Sequence, residues 1–481
     1  MKYLSKSKGL LVLILSVLLM FTLVGCGNSN GDEPEETPPM DTATGELGWD
    51  VFNARAVEFV ELMVAGDFST ATAMFNEEIA AAVDVATLET VWQQHIVGQA
   101  GAFIAVYGTE NYEEEGLYVV LITSAHENMG VLLNIKFSED GLIAGFTLDG
   151  FPILDEVEPI ETIGFTNYPI IIGEGTNWPL AGMLSIPDDT SVPVPAVVIV
   201  HGSGQHNMDG QVGETTPYLD IAEFLVTNGI AVIRYDKRTY THAVRLYAEI
   251  GNRMTFWEET VEDAVLAAEL LRNDPRIDPD RVYIIGHSLG GVLAPRIHEN
   301  GGDFAGLIMM GATSRSVLNI AAEQLGQVAL EQIEMGIVER TDPAIIEGLE
   351  MIDEIIALDA AMVAMSAEEA QNTIAPLIGS SLYYWRDLVI HSFERYVQDV
   401  TVPMLVMQGG RDFQILADLD FVLLQEILAG RDNVTFRLYE DLNHAFIPTT
   451  ATNFLEHAAS MAEAGHVGQT ALQDIVDWIL R

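Results

Sequence analysis

Five short apolar runs recur beyond residue 190, at 195–200 (PAVVIV), 230–235, 282–285, 305–310 and 404–407. A strand with one wet face alternates apolar and polar residues, whereas these stay apolar at successive positions. They therefore suit strands buried on both faces of a parallel sheet. Residues 169–186 read as an opening β pair, and 434–439 as a last, more alternating strand. Helical patterns separate several of the runs; Val261, Ala264, Val265 and Ala268 make one apolar face after Trp257. Strand and helix alternating in this way predict an α/β fold with a doubly wound, mostly parallel sheet.

The chemistry sits in the turns that close these runs. The run 282–285 leads directly into Gly286-His287-Ser288-Leu289-Gly290-Gly291, and a helical pattern comes next. A serine hydroxyl is a weak nucleophile until a base takes its proton. A tight strand–turn–helix lifts such a serine out of the sheet, and its glycines allow neighbouring chain to pass closely. The amide of Leu289, at the helix start, then faces a developing oxyanion. G-x-S-x-G alone is a weak signal; placed between a buried strand and a helix it becomes a strong one.

The partners of such a serine come later in the chain, in the order acid, then histidine. Asp412 lies in Gly409-Gly410-Arg411-Asp412, just after the run 404–407 and 124 residues past Ser288. His444 lies in Leu442-Asn443-His444-Ala445-Phe446, 32 residues further on and just after the last strand. Asp418 and Asp420 are rival acids, but their place is the helix after the loop. His457 and His466 fall in or near the final helix and read as surface residues. The second oxyanion donor is expected where His201-Gly202-Ser203-Gly204 succeeds PAVVIV, from the backbone N–H of Ser203. His201 reads as structural at the strand end.

These stretches, with RYDKRTYTH (234–242), DPDRVYIIGHSLGG (278–291) and VPMLVMQGGRDFQI (402–415), resemble the bacterial α/β-hydrolases in which a DUF3887 domain precedes an esterase-like domain. The resemblance implies a Ser–His–Asp hydrolase of carboxylic esters, with nucleophile, base and acid carried onto Ser288, His444 and Asp412. A peptidase or amidase with the same trio, or a non-catalytic binding protein keeping the fold, are the rival readings. After HGSG such proteins often continue with a Pro and an Asp-Arg pair, whereas this chain has Gln205-His206-Asn207-Met208-Asp209. Tyr235-Asp236-Lys237-Arg238 concentrates charge at the end of a central strand, where ion pairs fixing the loop are the expectation and substrate contact is the alternative. Residues 314–400 are helical and often apolar, with Met351, Met362 and Met365. Between two strands, that length suits a cap over the active site, and a Met-lined cap would accept apolar acyl or aryl groups. Ordinary helical packing would leave the same pattern.

Ahead of this domain (151–481), residues 49–150 read as a small α+β unit. Phe52, Ala56, Phe59, Val60 and Met63 recur at helical spacing, a second helix is expected over 69–83, and a third carries Leu88, Val91, Trp92 and Ile96. Four strand-like runs come next, between 103 and 148. Gly66-Asp67-Phe68, Trp92 and the closing Gly-Leu-Ile-Ala-Gly-Phe resemble the DUF3887 domain, which implies an NTF2-like α+β fold.

The first residues explain the chain's single cysteine. Lys2, Lys6 and Lys8 precede an almost wholly apolar stretch, and Leu23-Val24-Gly25-Cys26 closes it. The layout is that of a secretory signal over 1–25, and its end resembles the lipobox of bacterial lipoproteins, which implies lipidation of Cys26 and a protein anchored outside the cytoplasmic membrane. An uncleaved membrane anchor is the alternative. Residues 26–48, rich in Pro, Gly and acid, read as a solvated tether. With 22 Lys+Arg against 71 Asp+Glu, the net charge of −49 excludes nucleic acid as a partner. One cysteine permits no internal disulfide and no cysteine-based zinc site. The motifs imply a small ester as partner, and no metal or organic cofactor.

Overall fold

The computed structural model describes residues 49–101, 103–114, 116–126, 130–150, 160–242, 246 and 249–481. Residues 1–48, with the expected signal sequence, Cys26 and the expected tether, lie outside them. The chain divides into two compact units on either side of Glu158 and Pro159.

The first unit opens with α1 (Trp49–Ala65), which buries the predicted stripe of Phe52, Ala56, Phe59, Val60 and Met63. Gly66, at φ 74°, ends it. The single helix expected over 69–83 is instead two, α2 (Phe68–Thr72) and α3 (Glu77–Ala82). Each has its own side-chain cap, Asp67 accepting from the Thr70 N–H and Asn76 from that of Ile79. Phe75 between them pairs with Ile143, so backbone bonding to a strand interrupts the helix. After α4 (Val85–Val91) come β1 (Phe103–Glu114), β2 (Leu117–His126), β3 (Gly130–Phe137) and β4 (Ile143–Gly150), an antiparallel meander. His126 is buried there, with the Gly101 carbonyl at 3.1 Å and the Ser124 hydroxyl at 3.2 Å from its ring nitrogens.

The second unit is built on a nine-stranded sheet. Its strands are β5 (Ile160–Thr162), β6 (Phe165–Ile172), β7 (Leu180–Pro187), β8 (Val194–Val200), β9 (Ala231–Tyr235), β10 (Ile277–His287), β11 (Leu307–Met310), β12 (Met404–Gly409) and β13 (Val434–Tyr439). They stand in the order β13-β12-β11-β10-β8-β9-β7-β6-β5. From β13 across to β9 every pairing is parallel, and from β9 outward every pairing is antiparallel. This is the expected mostly parallel sheet, with the opening β pair as its antiparallel edge.

The unbroken apolar runs have the cause inferred for them. In β8, Val198 and Val200 enter one core cluster while Val197 and Ile199 enter the other. Helices α6 (Glu262–Asn273) and α7 (Leu289–Ile297) cover the first face, and α5 (Pro217–Thr227) and α12 (Gln469–Ile479) the second. With no wet face, neither set of side chains has reason to be polar. Between β11 and β12 the chain inserts α8 (Val317–Glu334), α9 (Pro343–Met362) and α10 (Leu382–Ile390), with two shorter helices. A last helix before α12, α11, spans Phe454–Ala462.

Candidate active site

Chain leaving β8 runs to β9 on one side, and chain leaving β9 returns to β10 on the other. A crevice opens outside the carboxyl ends of β8 and β10, where ligands bind in open α/β sheets. Ser288 follows β10 there with φ 53° and ψ −117°, a backbone conformation rare for a residue with a side chain. Two contacts impose it. The Ser288 N–H donates to Met310 O at 2.8 Å, and its carbonyl accepts from Gly291 N–H at 2.9 Å as the helix begins. A Cβ on Gly290 would lie 2.4 Å from Val200 O, so only glycine lets α7 start against β8.

His444 and Asp412 meet beside it. The His444 Nδ1 is 2.7 Å from Asp412 Oδ2, and both residues are buried. Asp412 Oδ1 accepts from the N–H groups of Gln414 and Ile415, each at 2.9 Å, and Oδ2 accepts from Gln408 Nε2 at 3.1 Å. Burial pushes this carboxyl's pKa up, but the His444 ring and the Ile415 N–H outweigh it and hold it below its ordinary value. A charged carboxylate fixes the tautomer: Nδ1–H donates to Asp412, leaving Nε2 as the lone pair. Gly311, at φ 58°, makes room for the pair, since a Cβ there would stand 3.1 Å from the His444 ring.

The cavity at this point holds about 810 Å³ of empty space, counting its mouth. Ser288 and His444 line it together, as do Ser203 and Leu289. Leu289 N–H, first in its helix, has no carbonyl within the helix to bond. The rest of the wall is chiefly apolar, including Val212, Val292, Val317, Ile320, Ile415 and Met461. The inserted segment contributes through α8. Met362 is buried in the core beneath and Met365 packs against that core, and among the described residues lining the cavity the one methionine is Met461 of α11.

Two further residues tie the site together. Tyr218 Oη accepts from the Gly202 N–H at 3.2 Å and lies 3.0 Å from His287 Nδ1. His287 Nε2 lies 2.8 Å from the His444 carbonyl, to which it must donate. Burial first, then the neighbouring His444, pushes the His287 pKa down to about 3, so the ring is neutral and Nδ1 accepts from the tyrosine. A continuous line of hydrogen bonds thus joins the loop after β8 to the loop that carries His444. G-x-S-x-G leaves its second position open, so the sequence pattern alone had no means of finding this role for His287.

The remaining candidates have separate fates. Asp420 is fully buried and held by Thr313, Arg315 and the Leu416 N–H, which removes it as a rival acid. His466 is exposed and paired with Asp220. His457, read as a surface residue, is wholly buried, with burial pushing its pKa down to about 4. The signal was present: Phe454, His457 and Met461 recur at helical spacing and share the buried face of α11. Arg238 is paired with Glu262 and Asp263, the ion pairing expected of that loop.

The chain is similar to Esterase EstD of Thermotoga maritima, with 26% identity over 445 residues, 91% of this chain and 97% of that protein. Among solved structures, Est1E from Butyrivibrio proteoclasticus aligns at 14% identity with a TM-score of 0.38, over 65% of this chain and 98% of that one. A Mycobacterium tuberculosis puromycin-hydrolyzing peptidase aligns at 15% identity with a TM-score of 0.40, over 75% of this chain and 45% of that one. Residues 56–146 match the DUF3887 family, a protein family of unknown function. Residues 191–448, more than half of the chain and spanning β8 to the His444 loop, match the serine aminopeptidase family S33, and the chain belongs to that family of serine hydrolases.

Proposed function

We propose that this protein is a lipid-anchored, extracytoplasmic hydrolase that cleaves carboxylic esters through an acyl-enzyme. Ser288 Oγ attacks the ester carbonyl while His444 Nε2 takes its proton. Asp412 holds the imidazole in the required tautomer and stabilises its charged form. The N–H groups of Ser203 and Leu289 bind the tetrahedral oxyanion. His444 returns the proton to the leaving alcohol, then activates the water that releases the acid. The observation that carries this reading is Ser288, at its positive φ, sharing one cavity with a histidine that a buried carboxylate grips at 2.7 Å.

The apolar wall favours an ester with an apolar acyl or aryl group, and the relative named as an esterase agrees with ester chemistry. The family's description gives weight to a second reading, an aminopeptidase. Such an enzyme needs an anion to pair a free α-ammonium, and among the described residues lining the cavity none is Asp or Glu. Anchoring rests on the sequence alone, through the basic start, the apolar stretch and Cys26. A panel of neutral p-nitrophenyl esters beside aminoacyl p-nitroanilides tests the substrate assignment. Ester turnover that Ser288→Ala abolishes is expected; cleaved anilides with inert esters would overturn it.

A further inference from the structure

Beyond residue 26 the chain has two lysines, and one of them, Lys237, is 1% exposed. The protein otherwise uses arginine for its buried cations, as at Arg238 and Arg296. A buried ammonium is retained only when its protons are placed. Lys237 comes just after β9, and its Nζ makes two contacts: Gly202 O accepts from it at 2.8 Å, and Glu259 Oε1 lies 2.5 Å away. The second oxygen of Glu259 accepts from the Tyr384 hydroxyl of α10, in the inserted segment. Both Lys237 and Glu259 are closed off from water.

The carbonyl of Gly202 and the N–H of Ser203 belong to one peptide unit. A cation on the carbonyl oxygen draws electron density toward it and strengthens the N–H as a donor, and the low local dielectric magnifies the effect. It also fixes the plane of that peptide, so the N–H direction is set before substrate arrives. An ammonium suits this task better than a guanidinium, being a compact charge whose three donors can point separately.

We propose that Lys237 is a positioning residue of the reaction: held by Glu259 and Tyr384, it orients and polarises the Gly202–Ser203 peptide for the oxyanion. The assignment rests on Ser288 being the nucleophile. It gives the charged loop after β9 a catalytic purpose besides closing ion pairs, and it links the inserted helices to the oxyanion hole.

The test compares full-length wild type with Lys237→Met and with Lys237→Met/Glu259→Gln, on p-nitrophenyl butyrate. The double variant is included because the single one strands a buried carboxylate. Removing an oxyanion donor outright costs ~10²–10³ in kcat, so loss of its polarising group should cost about 10–100-fold. The loss is expected in kcat, with KM within about twofold, and a trifluoromethyl ketone, which forms an oxyanion on Ser288, should lose affinity by the same factor. A purely structural role would move melting temperature without that matched loss. Folded variants that keep the wild-type kcat, or a loss confined to KM, overturn the assignment. So does failure of the double variant to fold, which would make Lys237 a determinant of the fold. Wild type that neither turns over the ester nor takes a fluorophosphonate on Ser288 would instead remove the reading beneath it.

Discussion

Asp412 and Asp236 are both buried carboxyls near the ends of sheet strands, and their surroundings drive them apart. Asp412 receives an imidazole N–H, two backbone N–H groups and an amide, and stays charged. Asp412→Asn should leave the fold intact and lower kcat by ~10⁴-fold, because the amide cannot enforce the His444 tautomer; steady-state turnover checks it. Among the described residues Asp236 receives only the Met208 N–H, at 2.7 Å on one oxygen, and burial pushes its pKa up to about 8. A carboxyl raised in the folded state binds a proton there that the unfolded chain has lost above about pH 4. Its contribution to stability therefore falls as pH rises from about 4 to 8, and levels off beyond. Denaturant titrations of wild type and Asp236→Asn should show the variant gaining stability relative to wild type across that window. His287→Phe keeps the ring but strands the Tyr218 hydroxyl and the His444 carbonyl, so the unfolding free energy should fall by about 2 kcal/mol, with slower turnover.

At the scale of elements, the site is made by close passages of chain. Helix α7 starts against β8 through Gly290, and Gly290→Ala should destabilise by about 1–3 kcal/mol through overpacking, measured by urea unfolding. Much of this was legible in the sequence. Strands buried on both faces announce themselves as unbroken apolar runs, so β8, β9, β11 and β12 were found within a few residues. Strand β10 is longer than its run, because Asp278-Pro279-Asp280-Arg281 leaves no apolar signal at its start. Helices α2 and α3 look like one in the sequence because Phe75 is apolar like its neighbours, and pairing with Ile143 leaves no local trace. The inserted helices lie between the strands expected, but of the methionines named for them Met362 is buried in the core and Met365 packs against it, and neither lines the cavity. Apolar periodicity marks a buried face without saying whether ligand or core covers it. Ser288, Asp412 and His444 could be nominated because each comes just after a recognisable strand. Tyr218, His287 and Lys237 act through contacts between distant segments, which no spacing encodes.

Across the whole molecule, 71 acidic residues leave a negative field around a cavity with no lining carboxylate among the described residues. Esters bearing an extra carboxylate should be poor substrates, and their kcat/KM should rise with salt as screening shortens the field, while neutral esters stay flat. The proposed anchoring belongs to this scale too: if it holds, Cys26→Ser should abolish incorporation of labelled fatty acid and move the protein from membrane to soluble fraction. The mechanism depends above all on Ser288 being the residue that attacks. Mass spectrometry after fluorophosphonate treatment, run beside neutral-ester turnover, tests that directly. Wild type should carry one adduct, on the peptide containing Ser288, with turnover lost in step, and Ser288→Ala should take no adduct and turn over no ester. An adduct elsewhere, or equal turnover by folded Ser288→Ala, would contradict it.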